Sequence, residues 1–132
     1  MTTLLVDVAN VVGSRPDGWW RDREGAATRL MARLAGLPGR TVTGPDGAPL
    51  AATAVVAVVE GRARGAEAPS AVRVVRAEGS GDDSLVAEAA RLAADGAAIL
   101  LVTADRGLRA RLPAGDVAGP GWLLGVLDGV GE

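Results

Sequence analysis

The sequence predicts an α/β domain built on an open parallel sheet with helices on both faces. Short runs of Val, Leu and Ala, apolar on both sides, alternate along the 132 residues with segments of helical periodicity. Turns rich in Gly and Pro separate them. Such alternation is typical of right-handed β-α-β crossovers. The length and the apolar fraction of 48% fit one compact domain over residues 1–132.

The N-terminal half supplies the first two predicted strands and the first helix. Residues 3–9 form a near-continuous apolar run with one acid towards its end, which is typical of a buried strand. A turn-rich loop follows. From Asp22, a candidate N-cap, apolar residues recur at helical spacing until Gly36. After a Gly-Pro-Asp-Gly excursion, residues 54–59 are predicted as the second strand, which Glu60 ends.

The C-terminal half continues the same alternation. Residues 61–69 are predicted as a mobile, arginine-bearing loop. The clearest helix has an apolar face and carries Glu88, Arg91 and Asp95 on its polar face. Pro113 is expected to end the short helix that follows the fourth strand. The predicted elements are strands at 72–75, 98–103 and 116–118 and helices at 82–95, 107–112 and 122–127.

Missing residue types exclude several mechanisms. The chain has no His, Cys, Tyr or Phe, and all 14 of its basic residues are Arg. A Ser-His-Asp triad, a thiolate site, a Schiff base and a Walker A phosphate loop are therefore excluded. The remaining carboxylates, hydroxyls and guanidinium groups are best suited to holding Mg²⁺ or Mn²⁺ through oxygen. The net charge of −2 means that any contact with nucleic acid is local.

Five acids are predicted to meet at one edge of the sheet. Asp7, Glu60 and Asp105 end or follow apolar strands, while Asp82 and Asp83 open the long helix. Open α/β sheets bind their ligands outside the carboxyl ends of the strands. Carboxylates gathered there repel one another unless a cation joins them. A divalent metal would polarise a phosphoryl oxygen and activate water, so the pattern indicates phosphoester hydrolysis.

Three segments, at residues 5–12, 79–83 and 102–108, resemble the ordered signatures of PIN-like NYN domains, including the YacP-like branch. The resemblance implies a PIN-like three-layer α/β/α fold with a central parallel sheet of four to five strands in the order 3-2-1-4-5. It also implies a metal-dependent ribonuclease. The family's fourth acid has no clear counterpart: Arg106 and Gly107 stand there, and Asp116 is only a candidate. A one-metal or inactive site therefore stays open.

Site residues follow from the resemblance position by position. Asp7, Asp83 and Asp105 are the expected catalytic metal ligands, with Asp82 as a neighbouring or water-mediated ligand. Hydrogen bonds from supporting residues are expected to orient them. The supporting residues are Asn10, Thr103, Ser80 and Glu60.

Candidate substrate contacts lie in two places. Trp19 and Trp20 could stack unpaired bases, since aromatic faces and basic groups bind single strands. The basic groups beside them are Arg15, Arg21 and Arg23. Arg106 is the candidate phosphate contact next to Asp105. The alternative for the tryptophans is packing over the sheet. Asp82, Asp83 and Asp105 could instead act only as helix caps. Asp7, at the end of an apolar strand, has no such alternative.

Three functions therefore remain open from the sequence: a nuclease acting on RNA, a nucleotide phosphohydrolase, and a non-catalytic module that binds RNA or protein. RNA is the expected partner, and a homodimer or partner protein is an option because the chain carries little positive charge. No apolar run is long enough to span a membrane and the N-terminus lacks a basic signal region, so a cytoplasmic location is expected.

Overall fold

The computed structural model describes residues 1–112 and 116–130, which form a twisted sheet covered by helices. No helix in these ranges combines the length and apolarity needed to cross a bilayer. The short 3₁₀ helices Trp19–Arg21 and Gly61–Gly65 lie between the main elements. Those elements are β1 (Thr2–Asp7), α1 (Val8–Val12), α2 (Arg23–Leu34), β2 (Arg40–Thr43), β3 (Pro49–Val59), β4 (Val72–Arg76), α3 (Gly81–Ala94), β5 (Ala98–Val102), α4 (Arg106–Arg111), β6 (Asp116–Ala118) and α5 (Pro120–Val130).

Strand β1 lies in the middle of the sheet, parallel to β3 on one side and to β5 on the other. Strand β4 continues the sheet beyond β3, and β6 continues it beyond β5, both in parallel. The spatial order β4-β3-β1-β5-β6 is the predicted order 3-2-1-4-5. The predicted α/β fold with its largely parallel sheet is therefore confirmed.

One strand was not predicted. β2 pairs antiparallel with the first part of β3, so the Gly-Pro-Asp-Gly excursion is a hairpin turn and β3 begins at Pro49. β2 is largely exposed and has no apolar run. A search for buried parallel strands therefore passes over it, because an exposed antiparallel edge carries no such signal.

Side-chain alternation along the strands divides the core into two layers. Leu4 and Val6 of β1 point to one face of the sheet, where α1, α2 and α5 pack. Leu5 points to the other face, where Leu85 of α3 and Leu108 of α4 cover it. This period of two is the geometry of an extended chain buried on both faces. It gives the three-layer α/β/α arrangement that the sequence predicted.

Two predicted boundaries change. The first strand ends at Asp7 instead of residue 9, because the Asp7 side chain caps α1, a helix missed by the sequence interpretation. The expectation that Asp7 has no capping role is therefore wrong. Part of the predicted loop at 61–69 is the 3₁₀ helix Gly61–Gly65. The Arg76 guanidinium donates hydrogen bonds to the carbonyls of Arg64 and Ala66 and anchors that turn. Pro113, expected to end α4, lies outside the described residues.

The predicted position of Glu88 on the polar face of the long helix is wrong. Its side chain is buried, 7% exposed, between α3 and β4. It accepts hydrogen bonds from Arg73 of β4 and from Arg91, one turn further along α3. Burial raises the pKa of Glu88, but the hydrogen bonds from Arg91 and Arg73 outweigh this effect and lower it. Glu88 is therefore an ionic link between a helix and the sheet.

Candidate active site

Strands β1, β3, β4 and β5 end at one edge of the sheet, here named the carboxyl rim. Asp7 is the last residue of β1, Glu60 follows β3, and Asp105 lies three residues beyond β5. Asp82 lies in the first turn of α3, which enters from the same edge. These four residues are named the acid cluster. The topology alone brings them together from positions up to 98 residues apart.

Asp7 is held in a fixed position. It is 8% exposed, and its Oδ2 accepts a hydrogen bond of 3.0 Å from the Thr103 hydroxyl. Its Oδ1 accepts a 3.4 Å bond from the backbone N–H of Asn10. The Thr103 oxygen in turn accepts the N–H of Asp105 at 3.1 Å, and the Asn10 side chain accepts the N–H of Ala104 at 2.8 Å. Asn10 and Thr103 thus join the ends of β1 and β5 around Asp7.

Glu60 and Asp105 are each engaged by a helix N-terminus. Glu60 Oε2 accepts the backbone N–H of Gly81 at 2.5 Å, and Asp105 Oδ1 caps α4 by accepting the N–H of Leu108 at 3.0 Å. The approach of Glu60 needs a glycine, because a Cβ at position 81 would lie 2.6 Å from its Oε2. Ser80 caps α3 by accepting the N–H of Asp82 at 3.2 Å.

Each carboxylate of the acid cluster makes ionisation of its neighbours less favourable. Burial raises the pKa of Asp7, and the carboxylates of Asp82 and Glu60 add to this, against the opposing hydrogen bonds from Thr103 and Asn10. Partial burial raises the pKa of Asp82, and Asp105 and Glu60 raise it further. Both shifts have the cause expected where carboxylates share a poorly solvated site. Such perturbed groups concentrate at functional sites.

The two acids that open α3 have different partners. Asp83 Oδ1 accepts a 2.6 Å hydrogen bond from Arg111 of α4, and its side chain is 71% exposed. Asp82 is the residue whose pKa responds to Asp105 and Glu60. Successive helical residues point about 100° apart, which gives the two side chains different neighbours. The expectation that Asp83 is a catalytic metal ligand, with Asp82 beside it, stays a prediction.

The chemistry of the cluster suits a hard divalent cation, but its side chains are not gathered as ligands. All its donors are carboxylate oxygens, the ligands that Mg²⁺ and Mn²⁺ prefer. Within residues 1–112 and 116–130, no group of three or more Asp or Glu side chains is arranged to hold a metal ion. Glu60 and Asp105 instead bind backbone N–H groups. Metal binding would require their side chains, or that of Asp82, to turn inward.

The predicted aromatic contacts lie beside the rim. Trp19 lines a cavity together with Glu60, and the guanidinium carbon of Arg23 lies 5.3 Å from its ring centroid. Trp20 meets Trp19 edge-on, with centroids 6.0 Å apart and planes at 89°, and is 51% exposed. Arg23, one of the arginines expected beside the tryptophans, therefore contacts Trp19.

The two arginines predicted to contact the substrate lie in different parts of the structure. Arg15 does not reach the acid cluster: its guanidinium lies 3.5 Å from Asp128 of α5, a carboxylate that also pairs with Arg33 at 2.5 Å. Arg106 is exposed at the start of α4, directly after Asp105. Asp116, the candidate fourth acid, pairs in register with Leu100 at the start of β6, two residues short of the strand's carboxyl end. It is therefore set back from the rim.

The comparisons with known proteins give matches among solved structures. No protein-family profile matches the chain. No curated protein matches its sequence. Among solved structures, it is similar to Rae1 (YacP) from Bacillus subtilis, with a TM-score of 0.74 and 18% identity over 99% of this chain and 76% of that one. A point mutant of Rae1 gives a TM-score of 0.71 and 19% identity over 99% and 77%. The chain has the Rae1 fold, as its resemblance to the YacP-like branch predicted.

Proposed function

We propose that this chain is a divalent-metal-dependent nuclease that hydrolyses phosphodiester bonds in single-stranded RNA. The observation that supports the proposal is the position of Asp7, Glu60, Asp82 and Asp105 at the carboxyl rim of a sheet with the Rae1 fold, where burial and these acids raise the pKa values of Asp7 and Asp82. The motif resemblance to NYN domains gives the substrate class.

Asp7 is the anchor of the proposed site, because its two hydrogen bonds and its burial fix the direction of its oxygens. Asp82 and Asp105 are the proposed additional ligands. Mg²⁺ or Mn²⁺, when bound there, lowers the pKa of a bound water and polarises the phosphoryl oxygen. The exposed Arg106, next to Asp105, is placed to contact the phosphate that is cleaved.

The test is hydrolysis of labelled single-stranded RNA with Mg²⁺, with Mn²⁺ and with EDTA. Duplex RNA, single-stranded DNA and nucleoside triphosphates serve as competing substrates. We expect metal-dependent internal cleavage of single-stranded RNA, reduced at least 100-fold in Asp7→Asn and Asp82→Asn, because both remove a ligand charge. Asp95→Asn, at the opposite end of α3, is the matched control. Hydrolysis of triphosphates alone would indicate the phosphohydrolase instead.

A non-catalytic nucleic-acid-binding module is the second candidate. The observation that favours it is the engagement of Glu60 and Asp105 by helix N-termini, which leaves no ready ligand set within the described ranges. Such a module would bind RNA equally in EDTA and in Mn²⁺, and Asp7→Asn would leave the affinity unchanged. A nuclease would bind Mn²⁺ in calorimetric titration and lose that binding in the same variant.

A further inference from the structure

A cavity of about 270 Å³ opens next to the acid cluster, between α1, α2 and the Gly61–Gly65 turn. It is slightly smaller than the roughly 300–1,000 Å³ that drug-sized ligands occupy. One planar ring system fits that size, whereas a longer piece of a nucleic-acid chain does not. Its lining includes Val8, Val12, Trp19, Arg23, Ala27 and Glu60.

The indole of Trp19 forms one side of the cavity and is held in place by its neighbours. A Cβ at Gly13 would lie 3.7 Å from its ring, so the indole packs directly on the α1 terminus. The guanidinium of Arg23 lies over the ring and Trp20 meets it edge-on. Aromatic and guanidinium planes are the surfaces on which unpaired bases stack, at about 1–3 kcal/mol per base. The cavity therefore has the apolar walls and the π face that a base requires.

Two charged groups give the cavity a hydrogen-bonding pattern. Glu60 uses Oε2 for the Gly81 N–H, which leaves the remaining acceptor capacity of its carboxylate for a ligand. The planar guanidinium group of Arg23 supplies N–H donors that can bind two acceptors side by side. Guanine presents two adjacent donors, N1–H and N2–H, and two adjacent acceptors, O6 and N7. Adenine, cytosine and uracil each lack at least one of these adjacent pairs.

We infer that this cavity binds one unpaired guanine of the substrate strand, stacked against Trp19. Glu60 accepts from its Watson–Crick edge, and Arg23, displaced from the indole face by the base, donates to O6 and N7. The inference rests on the proposed function for its choice of a single-stranded substrate. Because Val8 directly follows Asp7 in the chain, a base in this cavity places the adjoining phosphate beside the acid cluster. The cavity would thereby select the cleavage site.

The test measures binding of fluorescently labelled RNA pentamers UUGUU, UUAUU and UUUUU by anisotropy in EDTA, where hydrolysis is blocked. We expect UUGUU to bind about 10-fold more tightly than the other two. Trp19→Leu and Ala9→Leu should both remove this preference. Ala9 is exposed on α1 and lines the cavity, so a leucine there fills the space without disturbing the core. Trp122→Phe, which removes a tryptophan outside the cavity, is the control.

Equal affinity for the three pentamers, or a guanine preference that survives Ala9→Leu, would overturn the inference. Circular dichroism checks that each variant is folded, and Ala9→Leu decides the outcome if Trp19→Leu unfolds. Failure of the nuclease proposal gives a different result. In that case wild-type protein cleaves no RNA with Mn²⁺, yet the guanine preference in EDTA persists.

Discussion

Thr103→Val removes the hydroxyl that joins two acids of the proposed site without changing the size of the side chain. Thr103 is 1% exposed, donates to Asp7 Oδ2 at 3.0 Å and accepts the Asp105 N–H at 3.1 Å. A hydrogen bond to a charged group contributes about 1.5–3 kcal/mol and a neutral one about 0.5–1.5 kcal/mol. The free energy of unfolding should therefore fall by about 2–4.5 kcal/mol.

Urea titration at pH 7 measures this change. Thr41→Val on the exposed strand β2 is the matched control and should change stability by no more than about 0.5 kcal/mol. Thr103→Ser keeps the hydroxyl and should restore RNA cleavage that the valine variant has lost. If Thr103→Val is as stable as Thr41→Val, the hydroxyl does not hold the rim together, and the argument for a fixed Asp7 is wrong.

Three further predictions concern charge. Asp7→Asn should be at least as stable as wild type at neutral pH although it is inactive, because burial raises the pKa of Asp7 above its ordinary value of 3.8. Glu88→Gln should lower stability by about 1–3 kcal/mol at pH 7, measured by urea titration, since Arg73 and Arg91 lose a charged acceptor. Mn²⁺ at about 100 times its Kd should raise the free energy of unfolding by about 2.7 kcal/mol in wild type and leave Asp7→Asn unchanged.

The signs of the two pH profiles are opposite. The native state of wild type holds the Asp7 proton more tightly than the unfolded state, so its stability declines as the pH rises from 3.8 through the folded-state pKa. The advantage of Asp7→Asn should therefore grow over that window. Glu88 has a pKa below its ordinary value of 4.5, so its contribution is present above 4.5 and is lost as the pH falls through the folded-state value. Profiles of the reverse sign would contradict these assignments.

The sequence predicts much of this fold because the relevant signals are local. Residues 54–59 and 98–103 form almost continuous apolar runs. This pattern is typical of a strand that is buried between two helical layers. Asp22 is the observed cap of α2, as predicted from its position before an amphipathic run. The exposed strand β2 was missed because it has no apolar run. The five-residue α1 was missed because its first residues, Val8 and Ala9, continue the apolar run of β1.

The site was harder to predict because its details depend on distant contacts. Asp82 and Asp83 are adjacent in sequence, and only the structure shows that Asp83 accepts a hydrogen bond from Arg111 on another helix. Glu88 sits among polar residues of α3, and its burial depends on Arg73, which β4 supplies. Local periodicity contains no information on which helix packs over which strand end, so these partners required the three-dimensional arrangement.

The most direct test of the metal site is a crystal soaked in millimolar Mn²⁺ and measured for anomalous scattering. We expect a peak bounded by the carboxylates of Asp7 and Asp82, with Asp105 turned toward it, and its loss in Asp7→Asn crystals. A peak elsewhere, or no peak with Asp105 still capping α4, would contradict it.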